Sequence, residues 1–319
     1  MRVVFMGTPA LAAEALEGLY DAGYELPLVV TQPDKPKGRS MKPAISPVKA
    51  FAEAKGLTVY QPVGIREPET MKRIAGASPD VVVTAAYGRL LPAPLLGAAP
   101  LGCLNIHASL LPAYRGAAPI QWALLNGEAE TGVTIMKLDE GLDTGPILAR
   151  ESLPITGDMD YGSLYQAISS LGARLLLETL PLWAEGRLTP QAQPAEGASY
   201  AERIERKHEI IDWRKPAETI RNQIRAFAPS PGAAARFAGR ELKILSARIQ
   251  TGEEAGEAAR TPMQAGEIVG AQRGAGPVVA AGQGCLLLTT VQPAGKKPMD
   301  GWAWLNGSRA APGQAFEEM

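Results

Sequence analysis

The stretch LNIHASLLPAYRGAAPIQW, residues 104–122, is the most informative part of this chain. It begins inside a short apolar run, which predicts a buried strand that ends at His107. Residues two positions apart in a strand point to the same face, so Asn105 and His107 are expected to present their polar groups together. The run that follows contains Pro112, which restricts the backbone, and Gly116, which frees it. This predicts a loop shaped for close approach to a ligand.

The first half of the chain alternates strand-like and helix-like patterns. Apolar runs rich in Val, Leu or Ile, bounded by Gly or Pro, occur at residues 2–6, 26–31, 80–85 and 102–107. A helix is predicted after Pro9 with Thr8 as its cap, and a closing helix from Tyr161 toward Glu185. This alternation predicts an α/β fold with a Rossmann-like, mostly parallel sheet. The ligand crevice of such sheets lies beyond the carboxyl ends of the strands.

The first turn does not predict a dinucleotide site. The turn MGTPA, residues 6–10, has one Gly where the dinucleotide fingerprint needs three. We therefore expect the Rossmann-like scaffold without an NAD site.

The pattern changes near residue 188, which predicts two domains. Residues 188–206 are polar, Pro-bearing and aperiodic, so they are interpreted as a linker between a catalytic domain, 1–187, and a C-terminal domain, 207–319. A helix starting at Pro216 is expected to bury one apolar face: Ala217, Ile220, Ile224 and Phe227. The Gly-punctuated runs RELKILSARI, GPVVAAG and CLLLTTVQP predict strands of a small antiparallel barrel.

The composition is that of an ordinary globular protein. Charged residues make up 20% of the 319 residues and hydrophobic ones 46%. Two distant cysteines, without a CxxC motif, argue against a disulfide framework and a Cys-rich zinc site, and they fit a reducing cytoplasm. No signal peptide or membrane span is predicted. The net charge is -1, although residues 206–319 contain 15 Lys and Arg against 11 Asp and Glu. This mild asymmetry is compatible with RNA binding and also with chance.

A carboxylate completes a candidate catalytic group. Asp143 lies in the Gly-rich stretch KLDEGLDTGPIL, residues 137–148. With Asn105 and His107 it forms a plausible acyl-transfer set. A structural role is the alternative for any histidine near a strand end. The chain has two histidines, and His208, in a polar stretch without nearby partners in sequence, is interpreted as a surface residue.

The run SLLPAYRGAAPIQW closely resembles the hallmark of the folate-dependent formyltransferases, which move a formyl group from 10-formyltetrahydrofolate to an amine. The resemblance implies that Asn105, His107 and Asp143 are catalytic. It extends through GTPALAAEAL, TQPDKPKGRSMKPAISPVK and QPAGKKPM, and so covers nearly all of the chain. These outer stretches resemble the family members that formylate initiator Met-tRNA. They imply that this RNA is the acceptor and that the C-terminal domain is an OB-like barrel that binds tRNA.

The same resemblance implies a folate site without a metal ion. The turn YGRLLP, the loop after His107 and the turn before Asp143 are expected to line it. The implied folate-contacting residues are Arg89, Leu90, Leu91, Ser109, Leu110, Leu111, Pro112, Asp139 and Gly141. Ordinary core packing is the alternative for the leucines of YGRLLP.

A basic segment suggests how RNA is held. Residues 33–49, PDKPKGRSMKPAISPVK, contain five basic residues and one acidic residue, and their Pro and Gly content predicts an exposed, mobile loop. A solvated surface loop is the simple alternative. The resemblance implies tRNA contacts by Lys35, Lys37, Arg39, Lys42, Lys296 and Lys297.

Ala228 and Ser230 stand where many relatives carry Asn and Trp, which weakens residue assignments in the C-terminal domain.

The expected reaction is attack by a primary amine on the formyl carbon, through a tetrahedral oxyanion. Asn105 and protonated His107 are expected to donate to that oxygen, each contributing about 3 kcal/mol. Asp143 pairs with His107 and assists proton movement from the amine to the departing folate nitrogen. A monomer is expected.

Four alternatives stay open. The acceptor could be a UDP-amino-sugar or glycinamide ribonucleotide, the enzyme could be a hydrolase of formyl-folate, or the chain could be a nonenzymatic RNA-binding protein. The basic loop and the QPAGKKPM run favour tRNA as the acceptor. Amine-dependent turnover separates a transferase from a hydrolase, and the intact catalytic set speaks against the nonenzymatic protein.

Overall fold

The computed structural model describes residues 1–37, 42–250 and 264–319. Arg39, one of the expected tRNA contacts, lies outside the described residues. Contacts divide the chain into two compact units. Unit 1 consists of Met1–Pro119, Glu130–Ile155 and Tyr165–Glu202. Unit 2 consists of Ile120–Ala129, Thr156–Leu164 and Arg203–Met319.

Strands and helices are numbered in chain order. The strands are β1 (Arg2–Gly7), β2 (Glu25–Val30), β3 (Lys35–Lys37), β4 (Lys42–Ala44), β5 (Val59–Tyr60), β6 (Val81–Ala85), β7 (Cys103–His107), β8 (Arg115–Gly116), β9 (Glu130–Lys137), β10 (Ile147–Pro154), β11 (Tyr200–Ala201), β12 (Ala233–Phe237), β13 (Arg240–Gln250), β14 (Ile268–Gln272), β15 (Gly276–Ala280), β16 (Cys285–Pro293) and β17 (Met299–Asp300). The helices are α1 (Ala10–Asp21), α2 (Pro47–Ala54), α3 (Pro68–Gly76), α4 (Ala93–Leu96), α5 (Pro119–Leu125), α6 (Tyr161–Ala184), α7 (Arg206–Glu209), α8 (Ala217–Phe227) and α9 (Gly301–Ser308). Among the described residues, none of these helices is long and apolar enough to cross a membrane.

The main sheet of unit 1 has the order β10-β9-β7-β6-β1-β2-β5. The strands from β7 to β5 pair in parallel, and β9 and β10 extend the sheet in antiparallel fashion. The predicted mixed α/β fold with a mostly parallel sheet is therefore confirmed. The chain moves from β1 to β2 on one side and returns to β6 on the other, which creates a switch point between the carboxyl ends of β1 and β6, and β7 is the next strand beyond β6.

The central strands are covered on both faces because their sequences are almost entirely apolar. Val4 and Met6 of β1 pack in one cluster with Ile74 of α3 and Leu95 of α4. Gly172 of α6 lies against side chains of β7 and β9. Strands buried on both faces read as continuous apolar runs, which is why sequence analysis locates them well.

One local prediction fails in unit 1. Thr8 does not cap α1, because the helix begins at Ala10 and Pro9 occupies the cap position without a side-chain hydrogen bond. Most of the predicted linker is bound to unit 1: Gln191 forms a bridge with Ile147, and β11 pairs with β8. These contacts use the backbone, so they leave no periodicity in the sequence.

Unit 2 contains an antiparallel sheet in the order β12-β13-β16-β15-β14, with β17 paired to β16. The three predicted strand runs correspond to β13, β15 and β16, and the predicted apolar face of α8 is buried. The C-terminal tail adds a feature that the sequence did not predict. Residues 315 and 317 form bridges with Glu267 and Arg236, so the tail contacts the chain at both outer strands of the sheet.

His208, interpreted from the sequence as a surface residue, is partly exposed and has two partners. Its Nδ1 accepts a hydrogen bond from the backbone of Glu205 at 2.9 Å. Its ring meets the edge of Trp122 with a centroid distance of 5.5 Å. The contact with Trp122 was not predicted, because Trp122 is distant in sequence.

Candidate active site

Asn105 is oriented by a residue of the neighbouring strand. Thr84 of β6 stands in register with Asn105 of β7 and is buried. Its hydroxyl donates to Asn105 Oδ1 at 2.7 Å. Because the amide oxygen is engaged in this way, the Asn105 NH2 group is the end left to act as a donor.

His107 ends β7 and is 5% exposed. Its Nε2 lies 2.9 Å from the carbonyl oxygen of Tyr114. A carbonyl only accepts, so Nε2 carries the proton of this hydrogen bond. The other ring nitrogen, Nδ1, lies 3.6 Å from Asp143 Oδ2, which is longer than an ordinary hydrogen bond. Nδ1 is therefore close to a negative charge and still able to approach a third group.

Asp143 lies in the turn between β9 and β10 with a left-handed backbone, φ +53°. Asp and Asn adopt this region more readily than most residues other than glycine. The Gly116 N–H donates to Asp143 Oδ2 at 2.8 Å. The same oxygen faces His107, so the loop after β7 and the turn before β10 meet at the imidazole.

This arrangement suits acyl transfer with proton movement. It combines an amide donor, an imidazole that can accept or donate a proton and a carboxylate held next to it. The thiol of Cys103, at the other end of β7, stays protonated, since burial raises the pKa of Cys103 to about 12. Among the described residues, no group of three His, Cys, Asp or Glu side chains is placed to hold a metal ion.

The residues of the expected folate site are distributed between surface and core. Leu90 is 51% exposed, whereas Leu91 is buried in the cluster that contains α3 and α4. Arg89 is exposed, and its Nε donates to Gln32 Oε1 at 3.3 Å. The core alternative therefore holds for Leu91 and fails for Leu90.

The loop after β7 is bound by Thr134 of β9, a residue that sequence analysis did not identify. The Thr134 hydroxyl donates to the Ser109 carbonyl at 2.7 Å and accepts from the Leu111 N–H at 3.1 Å. Ser109 is fully buried, and its hydroxyl donates to the Ala113 carbonyl. Leu111 is also fully buried, while its neighbours Leu110 and Pro112 are partly exposed.

The turn that carries Asp143 is closed by its own side chains. Asp139 Oδ1 accepts from the Gly141 N–H at 3.1 Å and from the Thr144 hydroxyl at 2.7 Å. A Cβ on Gly141 would overlap the Thr144 hydroxyl, and one on Gly145 would overlap the Lys137 carbonyl oxygen. The second overlap is with backbone, so it cannot be relieved by a side-chain rotation.

Replacing Gly145 by Ala is therefore expected to displace the Asp143 turn and to lower kcat about 100-fold, because a shift near 1 Å at a catalytic group costs that much. The steady-state rate of the reaction proposed below measures it. Gly76→Ala is the matched control, since a Cβ there meets no atom within 4 Å. Equal activity of the two variants would show that the position of the Asp143 turn does not limit kcat, which would contradict the prediction.

The basic segment contains a hairpin rather than an irregular loop alone. β3 pairs with β4 in antiparallel fashion, with Lys37 opposite Lys42 and Lys35 opposite Ala44. Prolines in both strands hid it, because proline argues against a strand. Lys49 lies outside the hairpin on α2 and binds Asp34 at 2.6 Å, and this hydrogen bond lowers the pKa of the Asp34 carboxyl. In unit 2, Lys296 and Lys297 are exposed beside β17.

Comparisons with known proteins identify the family of the chain. The family described as formyl transferase matches residues 1–180, and the family described as formyl transferase, C-terminal domain, matches residues 203–309. A methionyl-tRNA formyltransferase from Trichlorobacter lovleyi is 45% identical and aligns over 98% of this chain and 96% of that protein. A methionyl-tRNA formyltransferase from Thiobacillus denitrificans is 46% identical, with 98% of each chain aligned.

A solved structure shares the fold at much lower identity. The N-formyltransferase from Helicobacter canadensis, in complex with folinic acid and dTDP-3-aminofucose, has a TM-score of 0.65 and 19% identity, covering 92% of this chain and 99% of that chain. The two sequence families together account for both units, and the full-length relatives align from end to end. This chain belongs to the formyl transferase family.

Proposed function

We propose that this chain transfers the formyl group of 10-formyltetrahydrofolate to the α-amino group of methionyl-initiator-tRNA, giving N-formylmethionyl-tRNA for translation initiation. The observation that carries the proposal is the meeting of His107 and Asp143 at the carboxyl end of β7, two residues from Asn105. Full-length similarity to methionyl-tRNA formyltransferases supports the choice of substrates. Formyl-folate is the donor substrate.

The reaction begins with attack of the neutral amine on the formyl carbon. A C–N bond forms, and the carbonyl electron pair moves to oxygen. The Asn105 NH2 group donates to this oxyanion, an interaction that strengthens as charge develops there. The bond to the folate N10 then breaks, and a proton from the attacking nitrogen passes to the departing N10 with the help of Asp143.

The two ring nitrogens of His107 have different tasks in this mechanism. Nε2 donates to the Tyr114 carbonyl and fixes the ring plane. Nδ1 faces Asp143 at 3.6 Å, so a proton on Nδ1 is shared between that carboxylate and the oxyanion. Asn105 is then the direct donor, and His107 stabilises the oxyanion mainly through its positive charge.

Three features support RNA as the acceptor. In the β3–β4 hairpin, Lys37 pairs with Lys42, and Lys35 lies two residues before Lys37 on the same strand. Unit 2 has an antiparallel sheet of the kind found in OB-like barrels, a fold that binds oligonucleotides, and it exposes Lys296 and Lys297. We also propose that the enzyme is a monomer, because a single chain supplies Asn105, His107 and Asp143. We propose the cytoplasm as its location.

The test is transfer of labelled formyl from 10-formyltetrahydrofolate to charged initiator Met-tRNA, with charged elongator Met-tRNA and a UDP-amino-sugar as parallel acceptors. We expect strong preference for the initiator. Formylation of the sugar alone would reject the acceptor and keep the chemistry. Release of formate without any amine would indicate a hydrolase and reject the proposal.

Replacing Lys37 by Gln is expected to raise the Michaelis constant for tRNA and to leave that for folate unchanged. Loss of one phosphate contact should also reduce the slope of log affinity against log salt by about one unit. Lys72→Gln, an exposed lysine of α3, is the matched control with the same charge change. A tRNA Michaelis constant that does not respond to salt in the unsubstituted protein would contradict the role of the hairpin.

A further inference from the structure

A segment that the sequence presents as a linker lies directly on the loop after β7. Residues 191–201, the strap, end in β11, which pairs with β8. The approach is close: a Cβ on Gly116 would lie 2.7 Å from the Ala201 carbonyl oxygen. We infer that the strap is a positioning element of the active site and that Gln193 and Ser199 hold the two residues that flank the His107 ring.

Gln193 binds the turn that carries Asp143. Its Nε2 donates to the carbonyl oxygens of Asp143 at 2.9 Å and Gly145 at 2.7 Å. Its Oε1 accepts from the Arg115 guanidinium at 2.7 and 3.1 Å. Both ends of one amide are thus used, and the turn before β10 is tied to the loop after β7.

Ser199 binds the other flank. Its hydroxyl oxygen accepts from the Tyr114 N–H at 2.9 Å, and its carbonyl accepts from the Arg115 N–H at 2.8 Å. Tyr114 has a left-handed backbone, φ +60°, which is uncommon for an aromatic residue. The carbonyl of this same Tyr114 accepts the hydrogen bond from His107 Nε2.

The two contacts converge on one side chain. His107 is bounded by Tyr114 at Nε2 and by Asp143 at Nδ1, and both of these residues have positive φ. Unfavourable backbone conformations persist when the surrounding structure holds them. The strap supplies one side-chain hydrogen bond at each of them. It therefore sets the distance and direction of both partners of the imidazole.

The inference rests on the proposed function for its kinetic test only, because a spectroscopic test needs no turnover. The chain has two histidines, so the ¹⁵N spectrum of histidine-labelled protein contains two rings, and His208→Gln assigns them. We expect the Nε2 resonance of His107 to change in Ser199→Ala and to be restored in Ser199→Thr, which keeps the hydroxyl. The Nδ1 resonance should change in Gln193→Glu, which has the same shape and still accepts from Arg115 but cannot donate to the turn.

In the kinetic test, Ser199→Ala and Gln193→Glu should each lower kcat at least tenfold, with Michaelis constants for folate and tRNA within twofold of the unsubstituted protein. Glu196→Gln, an exposed strap residue, is the control. An unchanged His107 spectrum together with unchanged kcat would overturn the inference. So would a loss confined to the Michaelis constant for tRNA, which would make the strap an acceptor contact. Absence of formyl transfer in the unsubstituted protein would reject the proposed function and leave the spectroscopic test valid.

Discussion

The Asp143→Asn variant is expected to fold normally and to lose about 10²- to 10⁴-fold in kcat, the range that positioned acid–base groups contribute. Asn has the same shape, adopts positive φ as readily as Asp, and keeps an oxygen that can accept from the Gly116 N–H. What it removes is the negative charge opposite His107 Nδ1 and the proton acceptor for the amine. The Asp143→Asn variant therefore tests the catalytic role of the carboxylate without removing the contacts that stabilise the turn.

Single-turnover transfer with saturating substrates measures this effect without a contribution from product release. Asp21→Asn, at the exposed end of α1, removes the same charge outside the site and should leave kcat unchanged. Near-normal turnover by the Asp143 variant would remove Asp143 from the mechanism. A loss accompanied by a lower unfolding midpoint would instead indicate a structural role.

Replacing Asn105 by Ala should lower kcat about 10²- to 10³-fold, the cost measured when one oxyanion donor is removed. The Michaelis constants should change little, because the donor acts on charge that develops in the transition state. Thr84→Val provides a graded comparison, since it keeps Asn105 and removes only the hydroxyl that orients the amide. Its loss should be smaller than tenfold.

The informative result is which of these two variants loses more activity. It is obtained from kcat and Michaelis constants measured on the same preparations. If Thr84→Val lost as much as Asn105→Ala, the amide would act through its fixed orientation more than through donation. If Asn105→Ala retained more than a tenth of the activity, His107 Nδ1 would be the principal donor, contrary to the division of roles proposed above.

Much of the fold was predictable because the central strands are apolar on both faces. The runs at residues 2–6, 80–85 and 102–107 correspond to β1, β6 and β7, and the closing helix matches α6 within one or two residues. The β3–β4 hairpin was not predicted, since prolines in both strands suppress the strand signal. The antiparallel sheet of the C-terminal unit was predicted from its strands, but the contacts made by the C-terminal tail were not.

The candidate site was only partly readable. The position of Asn105 and His107 on one face of the strand follows from period-two alternation. Asp143 was identified through resemblance and its Gly-rich turn. Thr84, Thr134, Gln193 and Ser199 were missed, because they act through hydrogen bonds, many of them to backbone groups, from segments without a motif.

The sequence by itself determined what depends on local pattern: the strands and helices, the common face of Asn105 and His107, and membership of a family through motifs spread over the chain. Only the tertiary structure decided what brings distant segments together. The approach of Asp143 to His107, the left-handed backbone of Tyr114 and the strap across the loop after β7 belong to this second group. Hydrogen bonds to backbone atoms specify geometry without requiring a particular sequence at the acceptor, so they become visible only when the chain has folded.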